Sequence, residues 1–297
     1  MKKDHDYSAA YVIFYTDAVD LEGHGMTFTS GRGNGTVYCY IAQLSVKFVN
    51  KKLKDLVADM RIGPEKGVLY LATDVIAPKE AIEMLRENVA TKTEHEVDVR
   101  VHGYPSYTTS AGWLIRRLIR EFLAEGFTYF KQNVGSDIQA DIRHAGIIVR
   151  NCLDVQEAIN WMQEFLPFKS LFIEEPTSPD NVLGHTAIPK ALYHRTKVTT
   201  GEHIQNRIIF KQLFQTQIIE FCQVNLCRVA GLNEVLAILL MDKKFNIPIC
   251  PHAGGAGLCE YVQYLSLIDY ICNTGSTKGS VLEYVDHLHE HFGALLL

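Results

Sequence analysis

Short apolar runs that end in polar or charged side chains recur through the second half of this chain at intervals of about 25–30 residues. That beat belongs to a parallel β/α barrel, whose active site gathers along one rim. Leu171-Phe172-Ile173 runs into the adjacent carboxylates Glu174-Glu175, then Pro176-Thr177. The next run ends in Thr200-Gly201-Glu202, the one after in Val224-Asn225, and a fourth in Pro251-His252-Ala253-Gly254-Gly255. A carboxylate, a second carboxylate, an amide and an imidazole would then stand on successive strand ends over one mouth.

The flanking pattern fills in much of the barrel. Strand-like runs fall at 107–111, 127–134, 170–175, 197–202, 219–225, 247–252 and 280–285, with helices near 114–126, 205–214, 232–243 and 256–272. Between the second strand and the one ending at Glu174, residues 138–150 and 154–165 both carry helical periodicity, and nothing strand-like separates them. A right-handed parallel crossover needs a strand each time. The pattern therefore predicts an α/β fold, a modified (β/α) barrel missing its third strand.

Upstream, residues 8–16 and 26–30 read as strands about a turn at Gly23-His24-Gly25, followed by a helix over 36–50. A further helix over 79–89 leads to a charged stretch, Thr91–Glu96, that reads as a solvated connector. The division expected is a small β-β-α domain over 1–103 placed before the barrel of 104–297. The glycines of Gly31-Arg32-Gly33-Asn34-Gly35 lack the G-K-[ST] ending of a phosphate loop and follow a hairpin, so they predict a loop.

Bulk properties remove several function classes. A net charge of −5 with no dense Lys/Arg stripe argues against a nucleic-acid partner. No apolar stretch reaches the roughly 18–20 residues of a membrane span. Seven scattered cysteines, an odd number without a C-x-x-C pair, read as reduced thiols. The polar start, Met1-Lys2-Lys3-Asp4-His5-Asp6, has neither the apolar segment of a secretion signal nor a transit-peptide pattern, so the expected location is cytoplasmic. Homo-oligomer formation stays open.

The rim residues suggest chemistry. Glu174 and Glu202, on adjacent strands, would repel one another unless a hard cation such as Mg2+ held both; ordinary surface carboxylates at βα loops are the alternative. Glu175, next in an extended strand, points the other way. His252 sits where an imidazole can exchange a proton near neutral pH. Lys131 and Asn133, two residues apart on one strand face, place an amine and an amide at the rim. A buried lysine can act as a base; an asparagine cannot.

Several stretches together resemble the enolase superfamily, mandelate racemase subgroup, and within it acid-sugar dehydratases of the L-fuconate type. They include Ile62-Gly63-Pro64-Glu65-Lys66-Gly67, Gly103-Tyr104-Pro105, Ile173-Glu174-Glu175-Pro176-Thr177-Ser178-Pro179-Asp180, Thr200-Gly201-Glu202, Cys250 through Glu260, and Glu283-Tyr284-Val285-Asp286-His287-Leu288-His289-Glu290. The resemblance implies a capping domain over a barrel, Mg2+ held by three carboxylates, a mitochondrial location, and an acid-sugar substrate. The substrate loses its α-proton and then its β-hydroxyl to give a 2-keto-3-deoxy acid. Glu174 and Glu202 match the second and third metal ligands, His252 the histidine acid/base, and Glu283 the late glutamate that bonds the enolate oxygen. Lys131 matches the first lysine of a Lys-x-Lys pair whose second member, the base, is Asn133 here. The strand with the first metal ligand is expected to be missing, and Asn225 replaces the aspartate that partners the histidine. These departures imply weak or lost turnover, with a non-catalytic pseudoenzyme as the alternative.

Overall fold

Among the described residues, seven short strands run parallel and hydrogen-bonded around a ring. They are β3 (Ser106–Ser110), β4 (Phe130–Asn133), β5 (Ile147–Val149), β6 (Ile173–Glu174), β7 (Val198–Thr200), β8 (Ile219–Cys222) and β9 (Leu282–Tyr284). Their order is β8-β7-β6-β5-β4-β3-β9. Ile249 closes the ring: it bridges Cys222 in parallel, and its carbonyl accepts the Val281 N–H at 3.0 Å. This computed structural model describes residues 7–30, 32–52, 54–55, 73–110, 115–133, 147–149, 154–255 and 257–285.

The third strand is therefore present, contrary to the sequence expectation. Strand β5 pairs Lys131 with Ile147 on one side and Val149 with Glu174 on the other. Three residues are too few for a period-two pattern to show, which is why the run was absorbed into a helical reading. Residues 134–146 lie outside the described residues, and so does the stretch 150–153 that follows the strand. The next carboxylate along, Asp154, caps the helix Val155–Phe165 by accepting the Glu157 N–H at 2.9 Å.

Helices cover the barrel from outside. These are α4 (Ile115–Ala124), α5 (Val155–Phe165), α6 (Val182–Ala191), α7 (Arg207–Gln215), α8 (Leu232–Phe245) and α9 (Leu258–Ile268), the last running into a π-helical turn, Asp269–Thr274. Two of these starts are held by an asparagine cap. Asn206 accepts the N–H groups of Ile208 and Ile209 (3.0 and 3.2 Å), and Asn181 accepts that of Gly184 (2.8 Å). Helices α7 and α8 bury Phe210, Leu213, Phe214, Val235, Ile238 and Leu239 against β8 in the largest apolar cluster.

Inside the ring, Tyr107, Phe172, Phe221, Cys250 and Val281 form one packed layer. Phe172, Cys250 and Val281 each precede a rim residue (Glu174, His252, Glu283) by two positions. They share its face one level deeper. A solid apolar floor thus lies under the rim.

Upstream, β1 (Tyr7–Tyr15) and β2 (Glu22–Ser30) pair antiparallel, followed by α1 (Asn34–Ser45), α2 (Pro78–Glu87) and α3 (Lys92–His102). Two expectations need correcting. Gly23-His24-Gly25 lies within β2, and the turn falls earlier, where Thr16 Oγ1 donates to the Leu21 carbonyl at 2.7 Å. The charged stretch from Lys92 is helical, and its charges meet one turn apart: Lys92 with Glu96 at 3.7 Å and Asp98 with His102 at 2.9 Å. Phe28 of β2 packs on Ala253, Leu258 and Val262 beside the barrel mouth, giving the hairpin a foothold next to the site.

Candidate active site

The five side chains singled out in the sequence converge at one end of the barrel. Lys131, on β4, is 5% exposed and lies 2.8 Å from Glu174 Oε1 and 2.6 Å from Glu174 Oε2. Its ammonium also donates to Glu283 Oε1 at 2.9 Å. The other Glu283 oxygen accepts the Ala253 N–H at 2.6 Å and lies 3.2 Å from His252 Nδ1. His252 Nδ1 is 3.0 Å from Glu202 Oε2, and Nε2 meets the Gly254 carbonyl at 2.9 Å. A chain of alternating charge thus runs Glu174, Lys131, Glu283, His252, Glu202.

Burial and charge set the protonation states. Burial works against a charged Lys131, but Glu174, Glu283 and Glu202 outweigh it and hold the ammonium well above its usual range. Burial likewise opposes a charged His252; Glu202 and Glu283 overcome it, keeping the imidazolium well above the ordinary histidine value. Glu174 goes the other way: burial, with Glu202 and Glu283 nearby, pushes it up to about 8 against the pull of Lys131. Burial raises Glu202 and Glu283 too, yet His252 and Lys131 hold both below the usual carboxylate range. Glu174 is thus the carboxylate of the cluster most disposed to take up a proton, while Lys131 and His252 favour the ionised forms of Glu202 and Glu283.

This donor set fits a divalent cation in part. Glu174, Glu202 and His252 present ligand atoms within 4.8 Å of one another. A dication could take the place of a proton on Glu174, since burial first, and then the nearby Glu202 and Glu283, favour its neutralisation. Two carboxylates and an imidazole are a weaker set for Mg2+ than three carboxylates, because Mg2+ favours oxygen ligands.

Other residues differ in detail from the sequence reading. Asn225 is buried, and its side-chain oxygen accepts the Cys227 N–H at 2.9 Å, so it serves a turn. The groups facing His252 Nδ1 are carboxylates instead. Asn133 ends β4 beside Val149 of β5. Glu175 lies just past the end of β6 with a left-handed backbone (φ 43°), not the extended geometry expected, and its carboxylate meets His203 Nδ1 at 2.9 Å. His203 escaped notice in the sequence, although a histidine directly after a strand-end glutamate was the available signal.

A lysine, a histidine and three glutamates thus share one rim of a parallel barrel. A family model described as enolase C-terminal domain-like matches residues 114–295. L-galactonate dehydratase of Hypocrea jecorina is 42% identical over 365 aligned positions, covering 97% of this chain and 80% of that protein. The crystal structure of human mitochondrial enolase superfamily member 1 superposes with a TM-score of 0.86 at 39% identity, covering 98% of this chain and 83% of that one. L-talarate dehydratase from Polaromonas sp. JS666, solved with Mg and L-glucarate, shares the fold (TM-score 0.62, 15% identity, 97% and 88% coverage).

The chain belongs to the enolase superfamily. The Hypocrea alignment is longer than this chain of 297 residues, so that relative carries residues opposite gaps here.

Proposed function

We propose that the chain is a Mg2+-dependent acid-sugar dehydratase of reduced power, acting on a substrate such as L-fuconate or L-galactonate, with His252 as its one acid/base group. The observation that carries this reading is the clustering of Lys131, Glu174, Glu202, His252 and Glu283 at one rim. Mg2+, held by Glu174 and Glu202, would supply positive charge to the substrate carboxylate and so acidify the neighbouring C–H.

His252 is 12% exposed on its side chain, so it can reach a substrate at the mouth. As neutral imidazole it takes the proton at C2; as imidazolium it returns that proton to the hydroxyl leaving C3 as water. The C2–C3 enol then becomes the 2-keto-3-deoxy acid. Lys131 stays charged between Glu174 and Glu283 and acts as a fixed cation. Glu283, anchored by the Ala253 N–H, holds Lys131 and His252 in register.

Residues 1–103 act in this proposal as the capping domain over the barrel of 104–297, supported by Phe28 packing beside Ala253. The mitochondrial location in the relative's name extends to this chain on the same footing, and cell fractionation checks it. A non-catalytic acid-sugar binder is the second reading. It is favoured by Asn133, an amide where the resemblance expects the base.

Incubation with L-fuconate or L-galactonate and Mg2+, followed by measurement of keto acid, separates the two. Slow turnover that EDTA and His252→Ala abolish is the expected result. Calorimetric binding of the acid sugar without turnover supports the binder; neither binding nor turnover overturns both.

A further inference from the structure

Glu202 divides its two oxygens between neighbours. Oε2 faces His252 at 3.0 Å, within the cluster above, whereas Oε1 lies 3.3 Å from His203 Nδ1. The same His203 nitrogen is 2.9 Å from Glu175 Oε2, and Thr200 Oγ1 donates to Glu175 Oε1 at 3.3 Å. Glu175, His203 and Glu202 therefore bring three ligand atoms, one nitrogen and two oxygens, within 4.8 Å of one another.

We propose that Glu175, His203 and Glu202 form a second divalent-cation site, suited to Mn2+ or Zn2+, with Glu202 bridging it to the first. The bridge rests on the reading of Glu202 as a ligand in the site above.

Three features support the assignment. Bonds of about 2.0–2.2 Å from a metal to nitrogen and oxygen put neighbouring ligand atoms about 3 Å apart, and the His203 contacts of 2.9 and 3.3 Å match that edge. An imidazole beside carboxylates suits a borderline transition-metal ion better than Mg2+. Access and rigidity are also divided usefully. The His203 side chain is 40% exposed and reachable from solvent, while Glu175 is 2% exposed and tied to Thr200.

His203 Nδ1 lies nearer Glu175 than Glu202, at 2.9 against 3.3 Å, and a dication among the three would meet both carboxylates at once.

Titration with Mn2+, followed by electron paramagnetic resonance, tests the site, because cysteine thiols compete little for this ion. The wild-type protein is expected to bind two Mn2+ with a spectrum broadened by coupling through Glu202. His203→Ala and Glu175→Gln should each bind one, uncoupled, with unchanged melting temperature for the half-exposed His203 variant. One Mn2+ in the wild type that survives His203→Ala but not Glu174→Gln overturns the second site and leaves the first. One Mn2+ lost in His203→Ala but kept in Glu174→Gln supports the second site and overturns the first. No bound Mn2+ overturns both.

Discussion

Lys131 stands between two buried carboxylates, and its removal would leave Glu174 and Glu283 without their shared cation. Breaking a buried pair from one side costs about 3–5 kcal/mol. Lys131→Met should lose stability on that scale in urea unfolding; a change within experimental error would show that the pairing carries no weight. The histidine gives a kinetic prediction. Because Glu202 and Glu283 hold the His252 proton, turnover should rise with pH through a midpoint above the ordinary value of 6.5, and a midpoint below it would contradict the pairing. A second buried carboxylate pair lies away from the site. Asp242, fully buried, is raised well above its ordinary value by burial and by Asp269, and burial raises Asp269 to about 6. In the unfolded chain both lose protons near 3.8, so stability is full below that pH and falls as pH rises through about 6 and beyond. Asp242→Asn should flatten that decline, raising the urea midpoint in mildly alkaline buffer.

Among the elements, those with several β-branched or aromatic residues before a polar end were readable from sequence, as β6, β7 and β8 were. Strand β5 was not, because three residues set no period. Helix α3 was misread because its charges looked like a connector, although they pair along one face and Asp98 accepts the Tyr270 hydroxyl at 2.7 Å. Gly201 shows how an element end fixes a ligand. A Cβ there would meet the Gln223 carbonyl oxygen at 2.7 Å and Phe210 at 3.0 Å, so the chain passes close to β8 just before Glu202. Gly201→Ala should cost about 1–3 kcal/mol, the usual range for overpacking, and should weaken Mn2+ binding with it. The hairpin rests on Phe28, which lies against Gly255 and Leu258. Phe28→Ala should cost about 3–5 kcal/mol of docking, read as faster proteolysis in the turn after Thr16; unchanged proteolysis would show that other contacts hold it.

Across the whole molecule, residues from Lys131 to Glu283 reach one small cluster because a barrel returns every strand end to the same rim. That geometric rule made Glu174, Glu202 and His252 visible in sequence, whereas pairing details such as the Ala253 N–H on Glu283 needed the folded loop. The roles of Asn225 and His203 could not be read either, since each depends on which neighbour a turn presents. In the proposed reaction one acid/base group, His252, does the work for which the resemblance expects two. Asn133 follows Lys131 by two positions along β4. The most direct test compares initial rates of keto-acid formation from L-fuconate, with Mg2+, by the wild type and Asn133→Lys. Restoring a base should raise the rate about 10²–10⁴-fold, the usual worth of a positioned general base. An Asn133→Lys variant no faster than wild type, or a wild-type rate that survives His252→Ala, would contradict it.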